Sequence, residues 1–535
     1  MINIIPQTEV RLLKTPLEKD SEHTLSFSNI NAQTNYFFGR TYKTYNDFTY
    51  QKETSTLVIP ESYDTICTCN YLMYKNNGFT NKFFYAFITK MEYVNENATR
   101  VFFEIDSLQT WYFNITYNKS FIEREHVNDD SRGANTIPEG LELGEMTMAH
   151  APTVEFEDPA DFYICFAVSE DPYERYDVFT GMKRQYNGIF GGLFYIFCKT
   201  VTDANNLVAI YDSTGKADAI SYIFMIPKSF DVLSSHATWQ YPLVGTATYS
   251  TTVYFIDDSD SADVLGGLTG TLVTTLGDNY TPRNRKLLTY PFSYMVLTNN
   301  AGSDIIYKYE DFKYTNDNPS PGFVVYGSIT PGCSMKAVPM LYKNSTGANY
   351  NFGLTMGKLP ICSWNSDVYT NWLTQNGVNN AMQFMLGTAT MAGSIMSGSG
   401  AGAIGGATMA YNAVHEEIQM EKTPNQARGN TNAGDVNFGY EYNGGLTLYY
   451  MSVRNEIARV IDEYFDKYGY KVNRVKVPNI TGRRNWNYVK TIDCDFTGEI
   501  PQEDMQKIKD IFNRGITFWH NASNFLNYSV NNDII

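Results

Sequence analysis

The sequence contains almost none of the features that would support catalysis or metal binding. Its six histidines are isolated from one another, and no zinc-protease, serine-hydrolase or phosphate-loop motif occurs in its 535 residues. The seven cysteines are an odd number without the spacing of a disulfide framework, and the pair Cys67 and Cys69 has no second Cys or His pair at zinc spacing. We therefore expect free thiols, no enzymatic activity, no catalytic residues, no bound metal and no cofactor.

A secretion signal and an excess of positive charge are also missing. Residues 1–10 contain no charged n-region, long apolar stretch or cleavage site, which predicts synthesis and folding in the cytoplasm. Lys and Arg number 41 against 57 Asp and Glu, so the net charge is −16 at pH 7. A chain of this charge repels nucleic acid as a whole, which excludes a basic DNA-binding domain but permits a conduit for DNA.

The composition indicates a β-rich protein of several domains. Aromatic residues make up 15% of the chain, with 41 Tyr and 33 Phe, whereas charged residues make up only 18%. Aromatic side chains suit the pleated, half-buried surface of a sheet. Because 535 residues exceed a single typical core, we expect two to four domains.

Local patterns predict one clear hairpin and two clear helices. Residues 82–93 and 99–106 flank Asn95 to Asn97 as two strands flank a short turn. Between 453 and 468 the apolar residues keep a 3.6-residue spacing and Gly469 follows as a C-cap, while 502–514 lies between Pro501 and Gly515. Further strand candidates are residues 24–27, 36–38, 48–50, 55–59, 162–168, 191–197, 220–226, 446–450 and 516–520.

Residues 368–415 contain no Asp, Glu, Lys or Arg, which is unusual in an acidic chain. Gly occupies seven of the twenty positions from 387 to 406, and five Met lie between 382 and 409. Glycine costs about 1 kcal/mol relative to Ala inside a helix, so one rigid packed helix is disfavoured. The run is also too apolar for a solvated linker. These properties favour burial against a membrane or a partner, most of all between about 378 and 414.

The length of this run argues against a single transmembrane helix. Its two apolar halves, 382–396 and 403–414, would each span only about 18 to 23 Å as helices, whereas a bilayer core is about 30 Å thick. A re-entrant or oligomeric hairpin fits better, since small residues allow close packing between copies. The candidate membrane-inserting residues are Phe384, Met385, Leu386, Met391, Ile395, Met396, Ile404 and Met409, and the candidate hinge residues are Gly398, Gly400, Gly402, Gly405 and Gly406. A buried helical hairpin and a surface loop remain alternatives.

Two polar stretches stand out elsewhere. Residues 467–490 contain seven basic residues and no acid, and they could face an acidic subunit or DNA phosphates or form a solvated strand face. The candidates for this basic run are Lys471, Arg474, Lys476, Arg483 and Arg484. Around Arg124, residues Glu123 to His126 form a polar group that is more typical of a solvated or salt-bridged cluster than of a catalytic site.

Distinctive motifs occupy roughly the first quarter and the last fifth of the chain. The first block contains Phe83-Phe-Tyr-Ala-Phe87, Phe103-Glu-Ile-Asp106, Leu108-Gln-Thr-Trp111 and Ser120-Phe-Ile-Glu-Arg-Glu-His126. The second contains Lys467-Tyr-Gly-Tyr470, Asn473-Arg-Val-Lys476, Pro478-Asn479, Asn487-Tyr-Val489 and Gly515-Ile-Thr-Phe-Trp-His520. Together they resemble the distal tail knob (tail tip tube) protein of picovirus-type short-tailed bacteriophages, of the Salasmaviridae and Rountreeviridae type.

This resemblance implies a mainly β, β-rich α+β fold with a discontinuous tube-forming domain. The implied segments are 1–150, the first part of the tube domain; 151–345, an inserted outer knob; 346–435, a connector with the Gly-rich apolar loop; and 436–535, the second part of the tube domain. Six copies would form a ring. Residues 151–345 carry little that matches the family, so the outer knob is predicted only from the position of this segment in the chain.

The same resemblance implies a function in DNA ejection. The protein would lie at the tail tip of the virion, after synthesis in the host bacterial cytoplasm, and its lumen would pass double-stranded DNA. Its apolar loops would plug the lumen and then insert in the host cytoplasmic membrane as a channel. Implied partners are further copies of the chain, an upper-tail tube or collar protein, and a tail-tip spike or plug protein. The alternatives are a structural tail or adhesin protein with a packing hairpin, and a cell-wall-degrading enzyme, which would need paired carboxylates or a Cys/His site.

Overall fold

The computed structural model describes residues 8–46, 55–76, 82–154, 162–172, 185–186, 189–190, 193–227, 235–242, 248–255, 264–299, 302–317, 319–326, 336–355, 361–366, 427–430 and 446–535. Strands predominate among these residues, as the composition predicts. The α-helices are α1 Ile30–Gly39, α2 Tyr63–Ile66, α3 Ser107–Trp111, α4 Val201–Ser213, α5 Asn455–Tyr468 and α6 Gln502–Arg514.

The strands are short and follow one another along the described residues. Those of the first half are β1 Thr8–Leu13, β2 His23–Leu25, β3 Thr41–Tyr45, β4 Thr56–Ile59, β5 Tyr71–Asn76, β6 Phe84–Asn95, β7 Ala98–Ile105, β8 Thr116–Tyr117, β9 Ser120–Glu125, β10 Met146–Val154, β11 Phe162–Val168, β12 Gln185–Tyr186, β13 Ile189–Phe190, β14 Phe194–Cys198 and β15 Ile220–Pro227. The others are β16 Ser235–Pro242, β17 Thr248–Phe255, β18 Val264–Thr269, β19 Ser293–Thr298, β20 Asp304–Tyr307, β21 Gly322–Tyr326, β22 Lys336–Pro339, β23 Leu354–Thr355, β24 Ile361–Ser366, β25 Ala427–Asn430, β26 Thr447–Val453, β27 Tyr470–Lys476, β28 Trp486–Asp493, β29 Phe496–Thr497 and β30 Ile516–Trp519.

The chain forms two compact units. Unit 1 consists of Met1–Gly144, Pro282–Leu287 and Asn455–Ile535, and unit 2 consists of Glu145–Thr281 and Leu288–Arg454. The assignment of tube, knob and connector roles to sequence segments stays a prediction.

Two large sheets organise unit 1. One has the order β3-β1-β5-β6-β7-β4 and contains the predicted hairpin, in which β6 pairs with β7 from Ala86↔Ile105 to Asn95↔Ala98. The other has the order β2-β30-β28-β9-β27, so it combines two strands from the beginning of the chain, β2 and β9, with three from its end. Because β9 lies between β28 and β27, removing either end of the chain would leave this sheet without central partners.

Aromatic side chains fill a core of unit 1. Trp486 and Trp519 are almost fully buried, with ring centroids 5.0 Å apart, and the Phe37 and Tyr71 rings stack at 5.4 Å. Fully burying one large apolar side chain contributes about 1.5 to 3 kcal/mol. The core therefore joins residues from both ends of the chain, since Phe37 and Tyr71 belong to the same cluster as the two tryptophans.

Helices α5 and α6 confirm two sequence predictions, while residues 36–38 correct one. The helix α6 ends at Arg514 with Gly515 as its C-cap, and Gly469 follows α5 with φ +63° and donates its N–H to Phe465 O at 2.8 Å. Residues 36–38 were expected to form a strand and lie instead in α1. The Asn29 side chain caps this helix by accepting the N–H of Ala32, and Phe37 packs inward. The candidate strand 48–50 lies outside the described residues.

Unit 2 contains a seven-stranded sheet, β16-β17-β14-β11-β15-β24-β25, and the sheets β10-β26-β19-β20 and β18-β21-β22-β23. Buried side chains of these sheets form one apolar cluster that includes Phe197, Phe224, Tyr307, Phe323 and Tyr450. The aromatic content noted in the sequence is thus used in both units to fill the space between or beside sheets.

Candidate functional site

The predicted membrane-inserting residues and loop hinges, from Phe384 to Met409, all lie outside the described residues. Their role therefore stays a prediction. Among the described residues, no helix combines the length and the apolar character needed to cross a bilayer. Those residues also contain no group of His, Cys, Asp and Glu side chains that could hold a metal ion.

The basic run divides into exposed and internally engaged residues. Arg474 on β27 and Arg484 before β28 are exposed. Lys476 forms an ion pair with the fully buried Glu125, and Arg483 is only 8% exposed. Lys471 donates its backbone N–H to Glu139 Oε1 at 3.0 Å. The run thus contributes to the interior of unit 1 as well as to its surface, and its contact with DNA or a subunit stays a prediction.

A buried charge cluster in unit 1, formed by Glu139, Arg124 and Lys286, is the centre of the candidate site. The Glu139 carboxylate pairs with the Lys286 ammonium through Oε1 and with the Arg124 guanidinium through Oε2. The side chains of Glu139, Lys286 and Arg124 are 1%, 2% and 10% exposed. Burial lowers the pKa of Lys286, an effect that the Glu139 carboxylate opposes. This Glu139 cluster therefore depends on mutual neutralisation of its charges.

Backbone carbonyls accept further hydrogen bonds from the two cations of the Glu139 cluster. Arg124 Nη1 donates to Gly469 O at 2.7 Å, and Lys286 Nζ donates to Ile137 O at 2.8 Å. Arg124 lies on β9, Glu139 follows it along the chain, and Lys286 belongs to the short segment Pro282–Leu287. The cluster thus joins β9 and the chain that follows it to the Pro282–Leu287 segment, 147 residues from Glu139.

Two aspartates of α5 anchor the Pro282–Leu287 segment from the other side. Asp462 accepts the backbone N–H groups of Arg283 and Asn284 at 2.8 and 3.0 Å and the Asn284 side chain at 2.8 Å. One turn later, Asp466 accepts the Asn284 side chain at 2.7 Å and lies 2.5 Å from the Arg283 guanidinium. Burial raises the pKa of Asp466 to about 6. Asp462 is fully buried on the inner face of α5, and the bonds from Arg283 and Asn284 satisfy its carboxylate there.

His126 completes this buried polar region as a neutral ring. Its Nδ1 accepts the N–H of Tyr488 at 2.7 Å, so its Nε2 carries the proton and donates to Asp466 O at 3.0 Å. Burial, with a smaller contribution from the nearby Arg483, lowers the pKa of His126 to about 3. Protonation of His126 would remove the acceptor that Tyr488 uses.

We expect His126 to make unit 1 sensitive to acid. Its folded pKa lies below the ordinary value of 6.5, so the unfolded chain binds the proton more tightly and stability falls as the pH drops below 6.5. The slope is about 1.4 kcal/mol per pH unit for one such group. Between pH 7 and pH 5, the wild type should therefore lose about 2 kcal/mol more unfolding free energy than His126→Gln. Denaturant unfolding at the two pH values measures this difference.

The raised pKa of Asp466 acts in the opposite direction, because the folded state binds its proton between about pH 6 and the ordinary value of 3.8. Comparing the wild type with His126→Gln isolates the contribution of His126, because Asp466 is present in both proteins. His150→Gln, at an exposed histidine, serves as the control and should behave as the wild type does. An equal loss of stability in wild type and His126→Gln would contradict the prediction.

A polar cavity of about 550 Å³ adjoins these groups in unit 1. Its wall includes Asp130, whose carboxylate accepts the Tyr470 hydroxyl at 2.6 Å and the Arg285 N–H at 3.0 Å. Asn532, also in the wall, accepts the N–H of Trp486 at 3.0 Å through its side chain and donates to the Trp486 carbonyl at 2.9 Å. These polar groups of the cavity wall are thus bonded to other parts of unit 1, which stabilises the fold around the cavity.

Sequence reasoning missed most of this region. It noted Arg124, Glu125 and His126 as a solvated or salt-bridged group; Arg124 and Glu125 do form ion pairs, with Glu139 and Lys476, but all three residues are buried. Glu139 and Lys286 are separated by 147 residues and carry no local signal. Asp462 was the one available hint, because it interrupts the apolar face of the best-patterned helix.

Two protein-family models match the chain. One, described as Caudoviral major tail protein N-terminus, matches residues 6–117, and the other, described as Bacillus phage phi29, Tail knob protein gp9, C-terminal domain, matches residues 263–533. With the β-rich fold and its structural polar clusters, these matches define a structural component of a phage tail and therefore of a virion, not an enzyme. The second match covers half of the chain, and the chain belongs to the family of the phi29 tail knob protein gp9.

Individual relatives agree with this family. The chain is 28% identical to the tail knob protein gp9 of Bacillus phage phi29 and 27% identical to that of Bacillus phage B103, with 98% of each chain covered in both cases. The solved structure of the bacteriophage C1 tail knob protein gp12 shares the fold, with a TM-score of 0.65 at 15% identity, covering 99% of this chain and 100% of that chain. The resemblance found in the sequence motifs is thereby confirmed.

Proposed function

We propose that six copies of this tail knob protein form a ring at the distal end of a short tail, with a lumen that conducts double-stranded DNA during ejection. Membership of the tail knob family, together with the uncharged run 368–415, carries this proposal. The net charge of −16 suits a conduit, because DNA that the wall repels slides without binding. Residues 1–150 and 436–535 would build the tube, 151–345 the outer knob and 346–435 the connector.

The apolar loops, about 378–414, would plug this lumen before infection and insert in the host cytoplasmic membrane afterwards. Each arm is too short to span a bilayer alone, so insertion requires several copies to line one channel. Phe384 to Leu386, Met391, Ile395, Met396, Ile404 and Met409 would contact lipid, while the glycines from 398 to 406 would act as hinges. Partners would be further copies of the chain, an upper-tail tube or collar protein, a tail-tip spike or plug protein, and transiently DNA.

Liposome dye release tests the membrane step. Replacing residues 384–409 by a Ser/Gly segment of equal length should abolish release, because no apolar arm remains to enter the bilayer. Replacing Gln375, Asn376, Asn379 and Asn380 by Ser changes polar residues of the same run and should leave release unchanged. Electron micrographs of both variants establish whether rings still form.

The outcomes separate the two main hypotheses. Dye release that persists without the apolar segment contradicts membrane insertion and favours a tail protein with a packing hairpin. Loss of folding in the variant without that segment would also favour the packing hairpin. A wild-type protein that remains monomeric at high concentration, with no central channel in the images, contradicts the ring itself.

A further inference from the structure

Among the described residues of unit 1, a pocket and a hairpin end expose apolar side chains close together. The first is a pocket of about 340 Å³ beside α1, where Ile30, Phe38 and Phe113 remain 53%, 36% and 39% exposed. The second is the end of the β6–β7 hairpin, where Tyr93 and Val94 are 62% and 43% exposed. Apolar side chains that cluster on a surface in this way commonly mark a site of interaction.

The α1 pocket, defined by Ile30, Phe38, Lys75, Lys82 and Phe113, combines apolar walls with positive charge. Lys75 and Lys82 line it; Lys75 already pairs with Glu9 at 3.7 Å, while the described residues contribute no Asp or Glu to the wall itself. Lys82 donates to the Asn114 side chain at 2.7 Å and lies 3.6 Å above the Trp111 ring. Burial lowers the pKa of Lys82 to about 8, against the opposing effect of Asp504, so a further carboxylate would stabilise its charge. The pocket therefore suits an apolar group that is accompanied by an acid.

The hairpin tip, defined by Tyr93, Val94 and Glu96, has the complementary chemistry. Glu96 is exposed at the turn. The Asn95 side chain accepts the N–H of Asn97 at 2.9 Å and closes the turn, and Tyr93 pairs with Thr99 across the hairpin. The tip is therefore a preformed projection that carries an aromatic ring, an aliphatic side chain and a negative charge.

These two surfaces lie at opposite ends of one strand. Tyr85, at the start of β6, lines the α1 pocket, and Tyr93 lies eight residues further along the same strand, about 25 Å away. Because β6 is paired with β7 along this length, the tip cannot fold back into the pocket of its own chain. Contact between the tip of one copy and the pocket of the next is heterologous, and such contacts generate rings when the rotation closes.

We propose that the hairpin tip of one copy inserts into the α1 pocket of a second copy, with Tyr93 and Val94 against the apolar walls and Glu96 beside Lys82. This inference rests on the proposed ring and supplies a contact that closes it. The occupant is a second copy because the tip offers the apolar and acidic chemistry that the pocket accepts, at a position that forces head-to-tail assembly.

Removal of the tip side chains tests this contact in the purified full-length protein. Tyr93→Ser combined with Val94→Ser should raise the protein concentration at which rings dissociate at least tenfold, as measured by mass photometry. The control is Val460→Ser, which truncates a 68% exposed apolar side chain on α5 and should change that concentration less than twofold. Equal effects of the two variants, or no effect of the tip variant, overturn the proposal.

A photo-crosslinker tests the same contact without weakening it. With p-benzoylphenylalanine at position 93, in a mixture of ¹⁵N-labelled and unlabelled chains, mixed-isotope crosslinks should map to residues 30–38 or 110–114. Wild-type rings without such crosslinks overturn this contact and leave the proposed function standing. A wild-type chain that never forms rings contradicts both, so the two failures can be told apart.

Discussion

Replacing Glu139 by Gln is expected to lower the free energy of unfolding of unit 1 by about 3 to 5 kcal/mol, the range measured when one partner of a buried ion pair is removed. Glu139 neutralises Lys286 and Arg124, whose side chains are 2% and 10% exposed. Without the carboxylate, two cations remain in a site where burial already lowers the pKa of Lys286. Hydrogen exchange of the amides in β9 and β27 measures the local opening free energy in the full-length protein.

Glu142→Gln is the matched control, because Glu142 is exposed and lies three residues further along the chain. It should change the opening free energy by less than about 0.5 kcal/mol. Adding Lys286→Met to Glu139→Gln should recover part of the loss, since one unpaired cation disappears and the two sites are coupled. An unchanged opening free energy in Glu139→Gln would show that the charge cluster does not stabilise unit 1.

Gly469→Ala should lower the free energy of unfolding by a comparable amount, for a steric reason. The residue has φ +63°, and an added Cβ would lie 2.2 Å from Glu125 O, 2.3 Å from Glu125 C and 2.5 Å from His126 N. All three are backbone atoms of β9 and the residue after it, so no side-chain rotation can relieve the overlap. We expect a loss of about 3 to 5 kcal/mol, from the left-handed backbone of an L-residue plus overpacking.

Gly140→Ala separates these two contributions. Gly140 has φ +72°, but its added Cβ would meet no atom within 4 Å. This control should cost only the backbone strain, about 1 to 2 kcal/mol. Denaturant unfolding that shows equal losses for the two variants would contradict the steric argument, because the contact with β9 would then contribute nothing.

The elements that sequence reasoning predicted correctly are those with strong local patterns. The β6–β7 hairpin follows from two apolar strands around Asn95 to Asn97, and α6 follows from its Pro501 and Gly515 boundaries. The strand predicted for residues 36–38 was wrong, because three consecutive aromatic residues are compatible with either a strand or a helix. In the folded chain the Asn29 cap and the burial of Phe37 favour the helix.

The candidate site shows where such local reasoning stops. The basic run from Lys471 to Arg484 was visible as a charge pattern, but its division into the buried Arg483, the paired Lys476 and the exposed Arg474 depends on strand pairing with β9. A charge pattern reports the number of charges along the chain. It carries no information about which of them meet a counter-charge from a distant segment.

Short-range patterns in the amino-acid order were therefore sufficient for the β-rich class, the main hairpin and helices, and the tail knob family, because each depends on residues close together along the chain. Folding alone brings Glu139 to Lys286, 147 residues away, and Asp462 to Asn284, 178 residues away. Buried charges are tolerated only where a partner arrives at hydrogen-bond distance, and that condition is met by the packing of β9, α5 and the Pro282–Leu287 segment, which no local pattern encodes.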